Sequence, residues 1–262
     1  MTEHKRDDRD FDVTQLHLDA HGKSLHRDYT AHFFRWSFAR RFIRNTDNLL
    51  DIGCGTELPL IKPLLGSGPA NNVNKYVGVD LNKLKPSKSS RVDLRPEFDF
   101  TSRYTEILAD YPEKFDKIFC FEVIEHMLPA HGKNLLHGIK ECLKPEGLFF
   151  ISTPCYDGHR HAKNHIHEYT VDELREYLVE AGFEVVDRFG TFMDVREITR
   201  NDPQRCRSEA VHEVWHALSK YYDNNALSCF FAPLFPDYAR NNIWICKLKA
   251  SKWRKTNLLF NL

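Results

Sequence analysis

Leu49-Leu50-Asp51-Ile52-Gly53-Cys54-Gly55-Thr56-Glu57 decides how the rest of the chain is read. An apolar run of strand length passes into two glycines one residue apart, the pattern of a buried strand entering a tight turn ahead of a helix. Glycine has no Cβ, so the main chain there takes positive φ and a ligand can lie directly against it. Tyr76-Val77-Gly78-Val79-Asp80 repeats the apolar run and ends in a carboxylate. At the carboxyl end of the second strand of a doubly wound sheet, an acidic side chain accepts hydrogen bonds from ribose hydroxyls. Together the two stretches imply a ribose-bearing cofactor at the strand ends.

Working outward, Phe115 to His126 reads as a fourth strand entering a helix. Leu143 to Pro154 reads as a helix end, a Pro-x-Gly turn and a fifth strand, and Glu173 to Phe183 as a further helix and strand. In this order and spacing, over about residues 45 to 190, the chain resembles the class I S-adenosylmethionine-dependent methyltransferases. The resemblance implies an α/β fold, a doubly wound and mostly parallel seven-stranded sheet of Rossmann-like kind with a helical cover and a helical insertion. It implies S-adenosylmethionine as cofactor, held by Asp51, Gly53, Cys54, Gly55, Asp80, Asp99, Phe100, Cys120 and Phe121. Asp99 would lie near the adenine amino group with Phe100 as a stacking face; a turn aspartate is the alternative reading of Asp99. The family's loop often ends in a third glycine, where this chain has Glu57.

The chain has 262 residues, enough for one full α/β core. Formal net charge is zero, which argues against binding long nucleic acid by charge alone. Seven cysteines without a Cys-x-x-Cys pair point to reduced thiols in a cytoplasmic protein, not a disulfide framework. The first ten residues lack an apolar segment, and no run reaches the roughly 18 apolar residues of a membrane span, so no membrane partner is expected. Gly22-Lys23-Ser24 imitates the end of a phosphate loop, but His17 stands where the loop needs its first glycine.

Residues 1 to 27 read as a charged leader, 28 to 250 as one methyltransferase domain, and 251 to 262 as a basic tail. From Asp28 to Arg44 the pattern is helical, with Phe33, Phe34, Trp36, Phe38 and Phe42 among four arginines. The expectation is a helix that buries its aromatics and solvates its arginines. In the family it resembles, such a helix lies over the cofactor, which makes Tyr29 and Arg35 pocket candidates. Pro59 to Asn74 reads as a helix interrupted by Pro63 and a loop, and Lys83 to Arg95 as a polar linker. Thr170 with Glu173 forms a capping box before a helix. About residues 202 to 232, Val211, Val214, Trp215, Leu218 and Tyr222 recur at helical spacing, as in an insertion that roofs an acceptor pocket.

Glu122, Glu125 and His126 carry the sharper chemistry. On a helix these positions share one face, and with His165 they form a set able to hold a divalent cation that polarises a diol. The string resembles the small-RNA 3′-terminal 2′-O-methyltransferases, whose later segment would fall on Arg160-His161 and His165 to Thr170, with His167 and Tyr169 departing from the pattern. Ubiquinone-type O-methyltransferases carry a similar string. Without a metal, His126 or His165 is the candidate base. The acceptor is a hydroxyl or amine of a small molecule, with a short nucleic acid and its ribose hydroxyl as the alternative. A non-catalytic cofactor-binding module is the further alternative, prompted by Glu57. Leu58 at the third fingerprint position argues against a nicotinamide dehydrogenase. Phe121-Glu122-Val123-Ile124 replaces the Asp/Asn-Pro-Pro string of amino-directed DNA methyltransferases, and Pro154-Cys155 follows the wrong strand for a cytosine-5 enzyme.

Overall fold

The computed structural model describes residues 27–64, 73–156, 158, 162–193 and 209–249. Seven strands, β1 (Asn48–Ile52), β2 (Lys75–Val79), β3 (Val92–Arg95), β4 (Phe115–Phe121), β5 (Leu143–Pro154), β6 (Phe183–Met193) and β7 (Ala239–Leu248), form one sheet. Its order is β3-β2-β1-β4-β5-β7-β6. Neighbours from β3 to β5 pair in parallel, and β7 runs antiparallel to both β5 and β6. The order reverses between β1 and β4, and ligands of open α/β sheets bind outside the carboxyl ends of the strands at such a switch point.

Every residue of β1 is buried, which is why it reads as a continuous apolar run instead of an alternating one. Helices α1 (Arg27–Arg40), α2 (Phe100–Asp110), α3 (Pro129–Cys142), α4 (Val171–Glu180), α5 (Glu209–Leu218) and α6 (Asn224–Phe231) cover the sheet. One core layer joins Leu50, Val77, Ile118 and Phe149 to Phe100, Leu136 and Leu178 of α2, α3 and α4. The other joins Leu49, Tyr76, Phe119 and Phe150 to Ala39, Trp36 and Phe38 of α1. Trp215, Leu227 and Phe231 knit α5 and α6 into a smaller third cluster with Met193.

Several expectations are corrected. The linker's last four residues form edge strand β3, which needs only Val92 buried. Pro145 to Gly147 does not turn the chain: it bulges inside β5, where pairing jumps from Phe115–Leu143 to Lys117–Leu148. Helix α1 ends at Arg40, and the segment keeps the expected partition for Trp36, Phe38, Arg41 and Arg44 but departs from it at three positions, with Phe33 and Phe34 exposed and Arg35 buried. Between β1 and β2 only a short 3-10 turn, Lys62–Leu64, is described. The leader up to residue 26, residues 65 to 72 of the expected helix and loop, residues 194 to 208 with the start of the insertion, and the tail lie outside the described residues. No helix among the described residues is long and apolar enough to cross a membrane.

Candidate active site

The turn after β1 is held by two main-chain donors, Gly53 N and Cys54 N, on the Val79 carbonyl at 2.9 and 3.2 Å. Gly53 and Gly55 have φ of +73° and +70°. Gly53 is further constrained because a Cβ there would sit 2.4 Å from Val123 Cγ2. Asp80 closes the turn: its Oδ2 accepts from Gly55 N at 2.9 Å, and Oδ1 accepts from Asn82 N and Nδ2. Asp51 accepts from the Tyr76 hydroxyl at 2.7 Å. Burial pushes Asp51 up to about 7, with the nearby Asp80 adding to the rise against the Tyr76 bond.

Asp51 and Asp80 are both buried, and among the described residues neither has a lysine or arginine partner. Two uncompensated carboxylates beside a glycine turn suit a ligand that brings positive charge and a diol. S-adenosylmethionine, with sulfonium, ammonium and ribose, has that chemistry. Cys54 and Cys120 are buried, so they present main chain and not thiols to a ligand. Burial pushes both thiols well above their ordinary range.

Beyond β3, Asp99 is the N-cap of α2, accepting from Thr101 N and Oγ1 and Ser102 Oγ at 2.7 to 3.0 Å. Partial burial acts to raise its pKa, yet these bonds hold the carboxyl below its ordinary value. That geometry matches the turn-aspartate alternative. The Phe100 ring is buried in the core and pairs with Tyr104. Phe121 is buried under the Arg35 guanidinium, whose central carbon is 5.6 Å from the ring centroid. The Tyr29 side chain lies outside the described residues.

The exit of β4 differs from the helix expected of Glu122, Glu125 and His126. Glu122 takes φ of +55°, and only Ile124–His126 form a short 3-10 turn. The Glu122 carboxylate accepts from Ser152 Oγ and Asn241 Nδ2, both at 2.7 Å, and lies 2.7 Å from Arg35 Nη1. Those three partners hold it, and it is not among the ligand atoms gathered at the histidines.

Glu125 is fully buried; its Oε2 accepts from Thr153 Oγ1 at 3.1 Å, while Oε1 has no hydrogen-bond partner. Burial, and next the Glu122 charge, push Glu125 well above the ordinary carboxylate range. Its carbonyl accepts from Ile166 N and His167 N, which docks the histidine loop. His126 Nδ1 donates to the Asn164 carbonyl at 3.0 Å, and burial lowers its pKa. His165 Nδ1 meets Glu168 Oε1 at 2.6 Å, and Glu168 also accepts from Ala162 N. Glu125, His126 and His165 offer ligand atoms that all lie within 4.8 Å of one another. Three of the four expected cation ligands thus converge and Glu122 does not. Arg160 and His161 lie outside the described residues.

Sequence reasoning passed over Tyr76, Ser152, Thr153, Glu168 and Asn241. The signals available were a tyrosine tip inside an apolar strand, a His-x-x-Glu spacing, and the amides Asn241-Asn242 opening an otherwise apolar last strand.

A family model described as a methyltransferase domain matches residues 26–188, more than half of the chain. The chain belongs to the methyltransferase domain family, within the class I S-adenosylmethionine-dependent superfamily. The ubiquinone biosynthesis O-methyltransferase of Bartonella bacilliformis is 34% identical over 107 residues, 40% of this chain and 40% of that protein. The match thus spans well under half the length of that curated relative. An S-adenosylmethionine-dependent methyltransferase from Archaeoglobus fulgidus superposes with a TM-score of 0.52 at 18% identity, covering 85% of this chain and 94% of that one. The small RNA methyltransferase HEN1 has the same TM-score at 16% identity, covering 88% of this chain and 27% of that one. At these identities the structures show the shared methyltransferase fold alone.

Proposed function

We propose that this methyltransferase domain transfers a methyl group from S-adenosylmethionine to a hydroxyl of a small molecule. The observation that carries the reading is the contact of Val123 with Gly53, which sets the glycine turn and the histidine cluster side by side. The partial match to O-methyltransferases supports an oxygen acceptor. Bound S-adenosylmethionine would supply an activated methyl for in-line displacement. Asp80 and the glycine turn would hold its ribose and Asp51 would face its positive charge. His165, oriented by Glu168, would take the acceptor's proton, and the docked loop would keep acceptor and methyl in line. No disulfide joins any two of the six described cysteines, and a reducing compartment, the cytoplasm, belongs to this reading.

The test is transfer of labelled methyl into a cell extract separated into metabolite, protein, DNA and RNA fractions. Label in metabolites is expected, and its loss in His165→Ala with cofactor binding kept supports the base assignment. Label confined to RNA overturns the acceptor class.

A second reading is favoured by one observation, the buried and unpartnered Glu125 Oε1 next to two imidazoles. Both histidines give Nδ1 to an oxygen acceptor, the outer-shell arrangement typical of metal-bound imidazole. In this reading Glu125, His126 and His165 would hold a divalent cation that polarises the acceptor hydroxyl or a ribose diol of short RNA. Calorimetric titration with Mn²⁺ of the wild type and Glu125→Gln decides it. Saturable binding lost in the variant, with transfer abolished by a chelator, supports the cation. Transfer indifferent to chelator sinks it.

A further inference from the structure

The geometry points to Tyr76 as a positioning residue for cofactor binding, one that fixes the Asp51 carboxylate beside the glycine turn through the bond across Gly78. The inference rests on the cofactor site proposed above and goes beyond it, since Tyr76 itself touches no ligand.

Tyr76 is fully buried in β2, and its hydroxyl gives its 2.7 Å bond to Asp51 Oδ2. In the sheet register Tyr76 pairs with Leu49 while Asp51 pairs with Gly78, so the ring must cross two residues to reach the carboxylate. Gly78 makes the crossing feasible: a Cβ there would come within 3.0 Å of Tyr76 Cε1, Cys54 Sγ and Leu94 Cδ2 together. A phenylalanine would fill the same core volume, so packing alone does not call for the hydroxyl. What the hydroxyl meets is a carboxylate whose other surroundings all disfavour charge.

The titratable groups facing Asp51 are Tyr76 from β2, Asp80 just after it, Cys54 from the turn and Cys120 from β4. None of them is cationic. Burial and Asp80 raise the Asp51 pKa, and the Tyr76 bond is the one contribution that opposes them. A cationic cofactor binds the ionised carboxylate better, so affinity rises with pH as Asp51 loses its proton and levels off once it is charged. Without the hydroxyl that rise moves to higher pH. A hydrogen bond to a charged group is strong enough to shift the midpoint by roughly one to two pH units.

Affinity for S-adenosylmethionine and S-adenosylhomocysteine is measured by calorimetry from pH 6 to 9 in wild type, Tyr76→Phe, Asp51→Asn and the double variant, with thermal melts as the folding control. For the wild type, affinity climbs between pH 6 and 8. For Tyr76→Phe the climb is displaced upward by roughly one unit, giving about a fivefold loss at pH 7 that closes to within about twofold at pH 9. Asp51→Asn flattens the profile, and adding Tyr76→Phe to it changes nothing further. A loss in Tyr76→Phe that is equal at every pH, or that persists in the Asp51→Asn background, overturns the inference and leaves Tyr76 a packing residue. If the wild type binds neither ligand at any pH, the cofactor reading falls as well, a result distinct from a flat profile with binding intact.

Discussion

Arg35 of the cover helix α1 places Nη1 2.7 Å from Glu122 Oε1, with the arginine side chain 1% exposed and the glutamate 17%. The pair ties α1 to the exit of β4, and Ser152 and Asn241 extend the tie to β5 and β7. Removing one partner of such a buried pair leaves the other uncompensated, whereas replacing both by neutral groups of similar volume is close to harmless. Arg35→Met is expected to lower unfolding free energy by about 3 kcal/mol. The double variant Arg35→Met/Glu122→Gln is expected to recover most of that loss, as read from denaturant midpoints. Equal losses in single and double variants would mean that the pair contributes no coupling.

Gly53 and Gly55 separate two reasons for glycine. Both have φ near +70°, but only at Gly53 does the Cβ direction meet a neighbour, Val123 Cγ2 at 2.4 Å. At Gly55 the nearest atom is Pro59 Cδ at an ordinary 3.6 Å. Gly55→Ala is expected to cost about 1 kcal/mol from backbone strain alone. Gly53→Ala costs more and weakens S-adenosylhomocysteine binding at least about tenfold, because the cofactor turn or the Val123 loop must move. Adding Val123→Ala should return the steric part of that loss and not the strain.

These effects divide along the line between what was legible in the sequence and what was not. Buried parallel strands announce themselves as short apolar runs, so β1, β2 and β7, the glycine turn, Asp80 and the Thr170 capping box were readable from local pattern. Glu122-x-x-Glu125-His126 has helical spacing, and the spacing misled. The carboxylate of Glu122 is fixed by Arg35 and Asn241, far away in the chain, and its φ of +55° breaks the helix before it begins. The place of Phe100 likewise depends on contacts that local pattern does not show. Asp99 spends its carboxylate capping α2, and that cap turns the next side chain inward to the core. The helical pattern solvates the arginines of α1 and the family resemblance alone singles out Arg35 as a pocket candidate, because nothing local shows that its partner is Glu122 just after β4.

The histidine loop depends on Glu173 twice. Its side chain completes the capping box with Thr170 and accepts from His167 Nε2 at 2.7 Å. Thr170→Ala removes only the cap and should cost about 1 kcal/mol of stability with transfer nearly unchanged. Glu173→Ala removes the cap's reciprocal bond and the loop anchor together. His165 is then less well held, and kcat is expected to fall roughly tenfold while the KM for S-adenosylmethionine stays close to wild type. A rise in that KM instead would place the effect on the cofactor side.

Asp51 makes a stability prediction of definite sign. Its native pKa, pushed up to about 7 from 3.8, means that the folded chain keeps a proton the unfolded chain gives up. Its contribution to stability is therefore complete below pH 3.8, is lost as pH rises to about 7, and changes little beyond. Asp51→Asn stays neutral throughout and can still accept from the Tyr76 hydroxyl. Without cofactor, the variant should match the wild type near pH 4 and exceed it by on the order of 3 kcal/mol at pH 8, even as it binds cofactor less tightly. Chemical unfolding at pH steps between 4 and 8 reads this as a widening gap. Parallel curves would mean that Asp51 titrates as an ordinary carboxylate, and that its charge costs the fold nothing.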